Sequence, residues 1–110
     1  MPRDYRVYVE DILEASRRIR LYTKRMTEDD FERSPMAVDA VVRNLEVIGE
    51  AAGRIPKDIK LKAPDTEWRK IVALRNLLAH QYFGVNTKIV WDIVANKLAP
   101  LELACRKLVT

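Results

Sequence analysis

The chain has 110 residues, twenty lysines and arginines against sixteen aspartates and glutamates, and a net charge of +4. One domain of this length removes roughly two-thirds of its unfolded surface from water on folding, so it needs no metal or disulfide as a staple. Cys105 is the sole cysteine and His80 the sole histidine, which excludes an intrachain disulfide and a Cys–His zinc site. With no signal-like segment and no apolar run of membrane length, these features point to a cytoplasmic protein without a membrane span.

Glycine is scarce and apolar residues recur at three and four, so the expected fold is all-α: an antiparallel bundle of four to five helices in one domain, residues 1–110. A first helix from about Asp4 to Arg25 carries Tyr5, Tyr8, Val9, Ile12, Ser16 and Ile19 on one stripe, with Glu14 facing Arg17 and Arg18 elsewhere. Thr27 precedes EDDFER as the N-cap of a short turn, and Ser34-Pro35 opens a second long helix with proline in its first turn.

That second helix, roughly Pro35 to Ala52, should bury Val38, Val41, Val42, Leu45, Ile48, Gly49 and Ala52, with Asp39, Arg43, Glu46 and Glu50 as a charged ladder opposite. Gly49 on the apolar stripe implies close approach of another helix backbone, and Gly53 is the expected stop. RIPKDIKLKAPDTE, with two prolines, reads as a connection holding at most a helical turn, and Thr66 as the N-cap of a third helix, Glu67 to Tyr82. A fourth starts near Asn86 or Thr87. It is apolar around much of its circumference and should kink or split near Pro100, which has no N–H for the carbonyl four residues back. Trp68 and Trp91 read as core aromatics, and the basic segments RRIR and KDIKLK as hydrated helix faces.

The third helix has an unusual ending, RNLLAHQY, residues 75–82. At about 100° per residue, Ile71, Leu74, Leu78 and Tyr82 share the expected core side, while Arg69, Ala73, Asn76 and His80 fall nearly opposite. Asn76 lies one turn below His80 and can hydrogen-bond it. Arg75 is about 140° away from His80 around the helix and meets it only if its long side chain curls round. One reading makes His80 a favourable last-turn partner of the helix dipole and Arg75 a solvated cation. The other makes them an active site.

RNLLAHQY resembles the Arg-polar-x3-His-x-Tyr signature of the HEPN superfamily in its minimal HepT-like branch. NLEVIGEAA, EWRKIVALRN and YFGVNTKIVWDIV are similar to the flanking family segments, so the resemblance covers essentially the whole chain. It implies a metal-independent ribonuclease, the toxin of a type VII-like toxin–antitoxin pair whose antitoxin is an MntA-type nucleotidyltransferase. It also implies a homodimer with the motif at its interface, and Tyr82 as acceptor of AMP groups from the antitoxin. The toxin itself would use no cofactor, and its partner would use ATP and Mg.

The side chains suit that task. Metal-free RNA cleavage needs a base for the 2′-hydroxyl, an acid for the leaving 5′-oxygen and cations for the developing phosphoryl charge. His80 fits either proton role, Arg75 offers a planar fork to phosphate oxygens, and Asn76 can orient the imidazole or contact phosphate. A single imidazole cannot be base and acid at once, whereas a two-fold dimer would supply its twin. Two alternatives stay open: a non-catalytic subunit that binds nucleotide or substrate for a minimal nucleotidyltransferase, and a structural dimerisation bundle with a degenerate site.

Overall fold

The computed structural model describes residues 4–79 and 86–110, without the side chains of 76–79. His80 and Tyr82 therefore lie outside the described residues. All regular structure among those residues is helical: α1 (Tyr5–Tyr22), α2 (Glu28–Glu32), α3 (Pro35–Arg54), α4 (Lys57–Lys60), α5 (Trp68–Ala79), α6 (Thr87–Asp92), a π-helical turn (Ile93–Lys97) and α7 (Leu98–Val109).

Local chemistry explains most of the boundaries. Asp4 caps α1 by accepting from the Arg6 amide at 2.9 Å. The helix ends at Tyr22, three residues before the expected Arg25. The Thr23 hydroxyl donates to the Ile19 carbonyl at 2.8 Å, and Arg25 takes the left-handed conformation (φ 65°) that turns the chain. Thr27 and Asp30 form a reciprocal capping box on α2. Ser34 caps α3 through the Ala37 amide at 3.2 Å, with Pro35 in the first turn.

The expectation that Gly53 stops this helix is overturned. α3 continues through Gly53 to Arg54, and Ile55 turns extended (φ −75°, ψ 128°) because the ring of Pro56 disfavours a helical residue before it. Thr66 is likewise one residue too early as a cap. The Glu67 carbonyl takes the Ile71 amide, and α5 begins at Trp68. Asn86 caps α6, accepting from the Lys88 and Ile89 amides. The disruption expected at Pro100 takes the form of the π-helical turn over Ile93–Lys97, which includes Asn96, the residue whose carbonyl Pro100 cannot serve.

The core is built mainly between α1, α3 and α7, with Val9, Ile12, Ile19, Val41, Leu45, Ile48, Cys105 and Leu108 almost wholly covered. Phe31 from α2 is fully buried and meets Trp91 at a ring separation of 5.4 Å. Val38 and Val42, expected in the core, pack on its edge, while Ala37, Asn44 and Ala51 are buried instead. Two contacts tie the chain's ends: the Tyr5 hydroxyl donates to the Leu108 carbonyl at 3.1 Å, and Arg20 meets Glu102 at 2.7 Å. The charge pairing foreseen along helices is present as Glu14 with Arg17 and Arg18, Arg43 with Glu46, and Glu50 with Arg54. Hydrogen bonds from Arg17 foremost, and then Arg18, hold the Glu14 carboxyl down to about 2. No helix among the described residues is long and apolar enough to cross a membrane.

Candidate functional site

α5 carries the first part of the motif, residues 75–79, and is seated chiefly on α3. Its seat is unusually close. A Cβ placed on Gly49 would stand 2.7 Å from the Arg75 backbone nitrogen and 3.2 Å from both Arg75 Cβ and the Ile71 carbonyl oxygen. The close approach read from Gly49 is therefore present, and the backbone that approaches belongs to Arg75. One turn along α3, a Cβ on Gly53 would meet only Val72 Cγ1, at an ordinary 3.6 Å.

Of the residues singled out in the motif, Arg75 has a described side chain, and it is exposed. Among the described residues it forms no ion pair; Glu46 and Glu50 of α3 pair within their own helix, with Arg43 and Arg54. Its guanidinium is thus left available for an anion. Asn76 has its backbone in α5, but its side chain is outside the described set, as are His80 and Tyr82, so the arrangement expected of Arg75, Asn76, His80 and Tyr82 is outside what the structure describes.

Arg69 and Ala73 are exposed, and Ile71 and Leu74 half-buried, as the helical wheel places them. The wheel missed Val72, which packs toward α3 beside Gly53. Gly53 itself was the available signal, since a second glycine four residues after Gly49 extends the same smooth track. Trp68 and Trp91 both pack against the core, and Trp68 anchors the start of α5 by donating its indole N–H to the Ala63 carbonyl at 3.2 Å. Lys60 lies 5.8 Å from the Trp68 ring, and burial, with Lys57 nearby, pushes its amine below its usual value.

Over Leu45 and Ile48 of α3, α5 faces the last helices across a groove of about 690 Å³. Ile71, Leu74, Ile93, Leu98 and Leu101 help to line it, and Lys70, Lys97 and Lys107 stand among the lining residues as cations. Ile89 and Leu103, about half exposed or more, open on the same groove. The apolar excess of the C-terminal helices is thus only partly absorbed by the core. Among the described residues, no three His, Cys, Asp or Glu side chains gather closely enough to hold a metal ion.

Residues 12–108, which include all of α3 and α5, match the family described as ribonuclease HepT-like. The chain belongs to that family. Three relatives are similar along most of their lengths. A Methanocaldococcus jannaschii protein with the provisional name of an RNase is 44% identical over 99 residues, covering 89% of this chain and 82% of its own. A Thermococcus cleftensis protein, "Probable ribonuclease HepT", is 37% identical over 108 residues, 98% of either chain. A provisionally named RNase from Caldanaerobacter subterraneus subsp. tengcongensis is 36% identical over 97 residues, 88% of this chain and 87% of its own. No solved structure matches the chain. The HEPN-type membership inferred from RNLLAHQY and its flanks is thereby shown, together with the all-helical fold.

Proposed function

We propose that this HepT-like chain is a metal-independent endoribonuclease that acts as a homodimer in the cytoplasm, with Arg75 and His80 of both copies in one composite cleft. The observation that carries the reading is an exposed arginine, free of carboxylate partners among the described residues, on the helix that the HepT-like match includes. An imidazole of one copy takes the 2′-hydroxyl proton, the 2′-oxygen attacks phosphorus, and the bond to the 5′-oxygen breaks as the second imidazole donates a proton to it. This leaves a cyclic phosphate and a free 5′-hydroxyl. Arg75 binds the phosphoryl oxygens through its fork as their charge grows, and Asn76 holds the imidazole or the phosphate. The half-open apolar groove beside α5 gives a second copy surface to cover.

The chain would serve as the toxin of a toxin–antitoxin pair. An MntA-like nucleotidyltransferase, using ATP and Mg, would transfer AMP to the Tyr82 phenolic oxygen and release pyrophosphate. The added phosphate charge would repel RNA and engage Arg75, as phosphorylation does at other arginine sites.

The test is cleavage of a labelled RNA in EDTA by the wild type and by His80→Ala. The expected result is cutting by the wild type with chelator present, and none by a folded, dimeric His80→Ala. Cleavage by that variant would remove His80 from the chemistry. A wild type that cuts nothing, yet gains AMP mass from the nucleotidyltransferase, would replace the nuclease reading with that of a docking subunit.

A further inference from the structure

We infer that Gly49 is a positioning residue for Arg75: by lacking a Cβ it lets α5 settle deeply on α3 and so fixes the root of the Arg75 side chain. The inference rests on the proposed role of Arg75 in cleavage. Each of the three atoms that an added Cβ would meet belongs to the backbone or first side-chain carbon of α5: Arg75 N at 2.7 Å, Arg75 Cβ at 3.2 Å and the Ile71 carbonyl oxygen at 3.2 Å. None of them can swing aside by a rotamer change. The closest is about 0.7 Å inside ordinary contact, so α5 would have to lift as a body. The Arg75 guanidinium stands several bonds beyond that root, exposed and without an ion pair to hold it among the described residues. Its placement is therefore inherited from the backbone. A displacement near 1 Å at a group that must meet a phosphoryl oxygen costs on the order of 100-fold in rate.

Gly53 supplies the control. It lies on the same helix, one turn on and against the same neighbour, but a Cβ there meets Val72 Cγ1 at 3.6 Å. Alanine fits at Gly53 and collides at Gly49.

The experiment compares Gly49→Ala, Gly53→Ala, Arg75→Lys, Arg75→Ala and the double variant Gly49→Ala/Arg75→Lys by kcat and KM on a labelled RNA in EDTA, with helix content followed by circular dichroism. Gly53→Ala should stay within twofold of wild type. Gly49→Ala should retain its helices and lose about 100-fold in kcat. In the Arg75→Lys background the same change should cost less than threefold, because the group it misplaces is already altered. Wild-type turnover by Gly49→Ala, or an equal loss in both backgrounds, would overturn the inference. Should Gly49→Ala not fold, Val72→Phe replaces it, lifting α5 through a side chain at the same seat. A folded Val72→Phe with wild-type kcat would then overturn it. Undiminished cleavage by Arg75→Lys and Arg75→Ala would instead refute the role of Arg75 itself, a different result.

Discussion

Arg75→Ala should separate activity from stability. The side chain is exposed and has no ion pair among the described residues. Its removal should therefore change the unfolding free energy by no more than about 0.5 kcal/mol, and alanine's higher helix propensity acts in the stabilising direction. The catalytic loss is set by different physics. A cation that meets phosphoryl charge only as it develops stabilises the transition state by about 3–4 kcal/mol, so single-turnover cleavage should slow by about 10²- to 10³-fold. Arg75→Lys keeps the charge and loses the bidentate fork, and should fall between the two. The assay pairs urea unfolding with single-turnover cleavage of a fluorescent RNA in EDTA. Unchanged turnover in Arg75→Ala would refute the reasoning. So would a stability loss of 2 kcal/mol or more, which would mean that the arginine holds the fold together.

Two further predictions concern the core. The Ser16 hydroxyl is fully buried in α1 with no hydrogen-bond partner among the described residues, so Ser16→Ala should stabilise the protein by about 1–2 kcal/mol, visible as a melting temperature about 5 °C higher or more; a destabilised variant would show that the hydroxyl is satisfied. Burial, with the Glu102 charge nearby, pushes the Cys105 thiol up to about 12, so it should resist thiol reagents at pH 8 until the protein unfolds. The folded value is raised, so stability is intact below the unfolded thiol's pKa, near 9, and is lost as pH climbs toward 12. By pH 10 the loss should be about 1–2 kcal/mol in urea titrations, and absent from Cys105→Ala.

What the sequence disclosed follows from the range of the interactions involved. Ser34-Pro35, the Thr27 capping box and Asn86 act within one turn, and those starts lie where the residues indicate. Gly53 misled because glycine both ends helices and admits neighbours, and here the following Ile55-Pro56 ends the helix. Gly49 was legible as a point of close approach, but not as the seat of Arg75 in particular, because periodicity on one helix does not reveal which residue of another comes to face it. Val72 escaped for the same reason. The motif itself was legible as spacing, whereas the exposure of the Arg75 side chain is set by how α5 sits on its neighbours, which spacing along one helix leaves open.

The seating of α5 also bears on how the site is stabilised. α1 and α3 contribute five and eight buried residues to the bundle, whereas no residue from Trp68 to Arg75 is fully buried. A helix attached mainly to one neighbour and bordering an open groove has, over its described side chains, less apolar contact to lose on opening than the helices of the core. Amide exchange should therefore release α5 through a sub-global opening, at a free energy about 2 kcal/mol or more below that of α1 and α3. In the dimer proposed above, a second copy over the groove would supply the missing contact. Dilution should then lower protection in α5 while leaving α1 nearly unchanged. Uniform protection across α1, α3 and α5 at every concentration would show that the motif helix is as firmly held as the core, and that a single chain completes it.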